Sequence, residues 1–197
     1  MATASRRPNA QLDARTDPRV STGCSGLDHI LNGGFPHGRL YLMEGDPGAG
    51  KTTLALQFMR EGVRKGERAL YITLSESRAD LAHAAQSHGQ TMDNIEVVEL
   101  LPSEGDLLPE QQYTVFHPAE VELNDRMQRI VREIQRVRPE RLVIDALSEL
   151  RMLAKDPLRY RRQILSLKDF MSDQECTVLL LDDRSSRDPD LQLHSIV

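Results

Sequence analysis

Five short apolar runs punctuate the chain: Leu40-Tyr41-Leu42-Met43, Arg68-Ala69-Leu70-Tyr71-Ile72-Thr73-Leu74, Ile95-Glu96-Val97-Val98-Glu99-Leu100, Leu142-Val143-Ile144 and Thr177-Val178-Leu179-Leu180-Leu181. Apolar runs of this length between polar or turn residues predict buried strands. Between them the apolar positions fall at helical spacing. Leu54, Ala55, Phe58 and Met59 predict a helix after the first run, and residues 78–88 a short one ending near Gly89. Val121, Met127, Ile130, Val131, Ile134 and Val137 predict a longer helix from about Glu120 to Arg138, framed by Pro118 and Pro139. A fourth covers about 157–172, opened by Asp156-Pro157. Strands alternating with helices predict an α/β fold, a mostly parallel sheet with helices on both faces and right-handed crossovers.

The remaining segments complete the outline. Residues 1–18 are small, polar and basic, and are expected to be a disordered tail; residues 19–197 form the single domain. Residues 19–38 read as a short helix framed by glycine turns, a lid over the edge of the sheet that feeds the first strand. Residues 101–118 carry Pro102, Gly105, Pro109 and Pro118, and read as a long irregular connection. Ser185 to Val197 turns from polar to apolar and stops without a turn or cap.

Composition narrows the class. With 4% aromatic residues and no Trp, the core must be built from aliphatic side chains. The net charge of −5 argues against a protein that coats nucleic acid. Cys24 and Cys176 lack metal-ligand spacing and are too few for a disulfide framework, which reads as free thiols in a reducing compartment. Arg6-Arg7 is followed by no apolar core of a signal peptide, and no run is long enough to span a bilayer, so the expectation is a cytoplasmic protein with no membrane association.

The chemistry concentrates in Gly45-Asp46-Pro47-Gly48-Ala49-Gly50-Lys51-Thr52-Thr53, between the first strand and the first long helix. That is the context of a phosphate-binding loop, or Walker A motif. Its glycines let the backbone turn several N–H groups to one point, and the helix start adds positive potential. Lys51 is expected to reach the β- and γ-phosphates of a nucleotide, as a mobile point charge. Thr52 gives its hydroxyl to Mg²⁺, and Thr53 adds a bond to the α-phosphate. The expected cofactors are therefore a nucleotide and Mg²⁺.

In an open α/β sheet, ligands sit beyond the carboxyl ends of the strands. Asp145 ends the fourth run and reads as a Walker B carboxylate for the metal, with helix capping as its alternative. Glu76 lies just past the second run and reads either as the base that activates the attacking water or as a surface carboxylate at a helix start. Asp182, Asp183 and Arg184 follow the fifth run, as a sensor of the nucleotide or as turn residues.

Ser21-Thr22-Gly23, Gly26-Leu27-Asp28, Gly33-Gly34, Pro36, Gly38-Arg39-Leu40 and the Gly45–Thr53 loop together resemble the KaiC-like branch of the RecA-type P-loop ATPases. Glu76-Ser77, His117-Pro118-Ala119-Glu120, Val143-Ile144-Asp145-Ala146-Leu147-Ser148 and the fifth apolar run extend the likeness from about residue 19 to the end. The resemblance implies a RecA-like core and slow ATP hydrolysis with Glu76 and Lys51 as catalytic groups. It also implies a ring, commonly a hexamer, serving signalling or timing with a protein partner. Some such proteins phosphorylate their own Ser/Thr, and a gapless reading puts Ser195 at that position; an apolar strand containing one Ser is the plainer explanation. Where the family usually has two adjacent glutamates, this chain has Ser75-Glu76. The family continues past the point that corresponds to Val197, so a C-terminally shortened core is expected, with hydrolysis affected more than binding.

Three other readings compete. A RecA- or DnaB-type motor would bind single-stranded DNA in a salt-sensitive way, against the acidic balance. A small-molecule kinase would need an acceptor lid. A non-catalytic nucleotide switch would fit Ser75 in place of the second glutamate.

Overall fold

The structure, a computed structural model, describes residues 18–101 and 118–184. The expected tail over 1–17, residues 102–117 of the long connection and Ser195 lie outside the described residues. Strands β3 (Leu40–Gly45), β4 (Ala69–Thr73), β5 (Ile95–Glu99), β6 (Arg141–Asp145) and β7 (Thr177–Asp183) form one sheet, each the core of an expected run. All four pairings are parallel, in the order β3-β7-β6-β4-β5. The sheet and its helices make the α/β arrangement anticipated from the alternating pattern, and the RecA-like P-loop core that the resemblance implies.

The strands are apolar throughout because both faces are covered, and successive side chains take opposite faces. Helices α2 (Lys51–Arg64) and α3 (Arg78–Ser87) cover one face. There Phe58, Met59 and Leu81 pack on Ala69, Tyr71, Val143, Leu179 and Leu181. On the other face lie α4 (Pro118–Val137), α5 (Leu147–Ala154) and α6 (Pro157–Ser172). Their Ile130, Ile134, Leu147, Ile164 and Leu167 pack on Leu70, Ile72, Leu142, Ile144, Val178 and Leu180. So odd-numbered residues of β4, β6 and β7 meet α2 and α3, and even-numbered ones meet α4 to α6.

The segment before β3 is more than the expected lid. Strands β1 (Arg19–Val20) and β2 (Phe35–Pro36) pair antiparallel and enclose the short helix α1 (Ser25–Ile30). Phe35 stacks on Tyr41 of β3 with ring centroids 4.2 Å apart, so the outer described strand is covered. Asp28 fastens the turn, accepting from the Ser21 hydroxyl at 2.6 Å and from the Thr22 N–H and hydroxyl, each at 2.7 Å. Helix α5 lies between the expected fourth strand and the expected helix over 157–172, where the sequence pattern predicts no element. Strand β7 continues two residues past the expected Leu181. No helix among the described residues is long and apolar enough to cross a membrane.

Candidate functional site

The loop between β3 and α2 turns on two left-handed residues, Gly48 (φ +80°) and Gly50 (φ +88°), which a side chain would strain. Gly50 is also the N-cap of α2, and no side chain caps that helix or places an acid in its first turn. Helices α1 and α5 also lack a side-chain cap but carry an acid in the first turn, Asp28 and Glu149. Ser77 caps α3 by accepting from the Asp80 N–H, and Asp156 caps α6 by accepting from the Leu158 N–H. A helix start left without an acidic or hydroxyl cap is ready to receive an anion from outside the chain.

Lys51 bends back across the loop. Its Nζ donates to the Gly45 carbonyl at 2.8 Å and to the Asp46 carbonyl at 3.1 Å, and pairs with Asp183 Oδ1 at 2.9 Å. Thr52, one residue on, points to β6: its hydroxyl lies 3.3 Å from Asp145 Oδ2. The structure thus brings Lys51, Thr52, Asp145 and Asp183 to one end of the sheet. The capping alternative for Asp145 does not hold, since α5 has Ala146 as N-cap with no side-chain bond.

Asp145 is buried, and Tyr71 donates its hydroxyl to the same Oδ2 at 2.5 Å. Burial raises the proton affinity of this carboxyl, and the Tyr71 and Thr52 bonds offset part of the rise. Sequence reasoning placed Tyr71 in the core and missed its hydroxyl. The available signal was that it is the one aromatic residue in an otherwise aliphatic run facing α2.

Glu76 sits just beyond β4 on a pinned backbone. Its N–H donates to Thr73 Oγ1 at 3.0 Å, and that hydroxyl donates to the Glu76 carbonyl at 2.7 Å. Ser77, the next residue, is the α3 cap. So the backbone is tied on both sides while the residue stays exposed. Desolvation, then the nearby charges of Asp145, Asp80 and Asp183, hold its carboxyl above the usual range. Both sequence readings meet here: Glu76 enters a helix, and it also feels the carboxylates of the phosphate-loop end.

Asp182 and Asp183, adjacent in β7, diverge because strand side chains alternate. Asp183 faces α2 and Lys51. Asp182 faces α5, where Arg151 Nη2 donates to its Oδ1 at 2.9 Å. It is fully buried, and burial pushes it up to about 6 despite the Arg151 charge. Neither carboxylate is a turn residue.

As a metal test, Thr52 and Asp145 offer hard oxygen donors side by side, which suits Mg²⁺. No group of three or more acidic, His or Cys residues that could hold a metal by themselves occurs among the described residues. An ion bound here would complete its shell with oxygens from water or a ligand.

A family model described as "ATPase: KaiC" matches residues 20–196. A circadian clock oscillator protein KaiC from Picosynechococcus sp. is 32% identical over 82% of this chain and 29% of its own length. One from Parathermosynechococcus lividus is 34% identical over 71% of this chain and 24% of its length. A UPF0273 protein of Thermotoga maritima is 32% identical over 83% of this chain and 69% of its length. The chain therefore spans less than a third of these clock proteins and most of the Thermotoga one.

Proposed function

The chain belongs to the KaiC family of ATPases, and on that premise we propose that it binds Mg·ATP at residues 45–53 and hydrolyses it slowly. The observation that carries the reading is the convergence of an uncapped helix start, Lys51, and the Thr52–Asp145 pair on one end of the sheet. Gly45, Asp46, Pro47, Gly48, Ala49, Gly50 and Thr53 complete the loop that wraps the phosphates. When bound, Mg²⁺ neutralises charge on the phosphate oxygens; Thr52 and Asp145 are the residues that would hold it, directly or through water.

In the hydrolytic step, a water oxygen bonds to the γ-phosphorus and the bond to the β–γ bridging oxygen breaks, releasing ADP. Glu76 takes the water's proton. Its raised proton affinity and fixed backbone suit it to that role. Lys51 supplies positive charge where the phosphates carry negative charge. Ring assembly, a timing or signalling output in the cytoplasm, a protein partner and self-phosphorylation at Ser195 belong to the same reading, and rest on the family alone.

Titration calorimetry with Mg·ATP tests the site. Lys51→Ala is expected to weaken binding by at least about tenfold, since it removes a charge-assisted contact to phosphate. Equal affinities for the variant and the wild type would sink the assignment.

A further inference from the structure

Lys51 already has an anionic partner from its own chain. Asp183 Oδ1 lies 2.9 Å from Nζ, and the Gly45 and Asp46 carbonyls accept from the same ammonium. The Lys51 side chain is only 10% exposed, whereas Asp183 is 45% exposed, so the cation is enclosed and its counter-ion faces the opening. Asp183 also stands close enough to Asp145 and Glu76 to raise the proton affinity of both. It therefore lies at the end of the site where those carboxylates gather, the end at which a terminal phosphate would arrive.

We propose that Asp183 is an internal counter-ion that a nucleotide must displace from Lys51, and that it sets how well the site separates nucleoside triphosphates from diphosphates. The inference rests on the phosphate-loop reading above and adds a specificity residue to it. A triphosphate brings its γ-phosphate against both parts of the pair: it takes the ammonium and meets the Asp183 carboxylate. A diphosphate stops one phosphate short and leaves Lys51 free to keep part of its bond to Asp183. The negative charge at Asp183 thus opposes a triphosphate more than a diphosphate. Asp183 N–H donates to Asp182 Oδ1 at 2.9 Å, a bond that holds the Asp183 backbone and does not involve the carboxylate that Asp183→Asn would neutralise.

The test is calorimetry of Mg·ATP and Mg·ADP with the wild type, Asp183→Asn, Asp183→Glu and Lys51→Ala, with a melting curve for each. In Asp183→Asn, ATP is expected to bind up to about fivefold more tightly, the range for a partly exposed ion pair. ADP should tighten less, so the ATP-to-ADP affinity ratio rises. Asp183→Glu, which keeps the charge, should return the ratio towards wild type. A residue with only a structural role would lower the melting temperature and weaken both nucleotides together. If the wild type binds and Lys51→Ala does not, yet Asp183→Asn leaves the ratio unchanged or lowers it, the counter-ion role is wrong and the phosphate site stands. If neither the wild type nor Asp183→Asn binds either nucleotide, both readings fall.

Discussion

Strand β6 begins at Arg141 and ends at Asp145, and its two charged ends are held in different ways. Arg141 is fully buried. Its Nη1 donates to the Ser21 carbonyl at 2.7 Å and the Phe58 carbonyl at 2.8 Å, its Nε pairs with Glu67, and its guanidinium lies 4.6 Å from the centre of the Phe58 ring. Helix α2 makes room for it with Gly62, where a Cβ would come within 2.5 Å of Arg141 Cδ. Asp145, at the other end, accepts from two hydroxyls, Tyr71 and Thr52. Most partners of Arg141 are backbone carbonyls and a ring, which cannot be exchanged without unfolding. The partners of Asp145 are side-chain hydroxyls, of which Thr52 is the one proposed to turn to a metal. One end of the sheet is built for permanence and, on the proposed reading, the other for exchange, although both hold buried charge.

The comparison is sharpest at Glu76. Replacing the proposed base by Gln keeps its shape, so turnover is expected to fall by roughly 10²- to 10⁴-fold while the melting temperature and Mg·ATP affinity change little. Single-turnover hydrolysis beside a melting curve checks it. An unchanged rate would make Glu76 a surface carboxylate.

Arg141→Ala should do the converse. Removing a fully buried side chain with its bonds to two carbonyls and the half-buried Glu67, and leaving a void, costs about 3–5 kcal/mol, with a large fall in melting temperature. Below the melting transition the variant should still bind Mg·ATP with near-normal affinity. If affinity collapses while the protein remains folded by circular dichroism, the two ends are coupled and the contrast between them is false.

Asp182 is the exception at the exchangeable end, because it is buried against Arg151 on the opposite face. Its carboxyl titrates near 6 in the fold against an ordinary 3.8. Between those values the folded protein holds a proton that the unfolded chain has lost. Stability should therefore fall as pH rises through this window, by at most roughly 3 kcal/mol. Asp182→Asn has no such proton, so its stability relative to wild type should rise from pH 4 to pH 7. Urea melts at several pH values check the difference; parallel curves would remove Asp182 from the account.

Local pattern determined a good deal of this. The apolar runs located all five strands of the main sheet, and helical spacing located α2 and α4, because burial on one or two faces leaves a period that survives in the sequence, while Gly89 and Asp156-Pro157 marked α3 and α6. The glycines, Lys51 and Thr52 were legible for the same reason: a phosphate loop is local, and its residues are neighbours in the chain. Helix α5 was not legible. Eight residues starting one residue beyond a strand give too few turns for a period to stand out, and Leu147, Leu150 and Ala154 read equally well as a loop with apolar contacts. Nor could the sequence show that Arg141, at the head of an apolar run, is fully buried, the largest such side chain among the described residues. The order β3-β7-β6-β4-β5 was decided only in three dimensions, by crossovers that carry the chain over intervening strands. That order puts β7 between the phosphate-loop strand and the strand of Asp145, and so delivers Asp183 to Lys51 across 132 positions of sequence. Asp182-Asp183 looks like one acidic pair when read along the chain. The pleat sends one carboxylate to Arg151 and the other to Lys51, since successive side chains of a strand face opposite ways and only the packed helices say what each will meet.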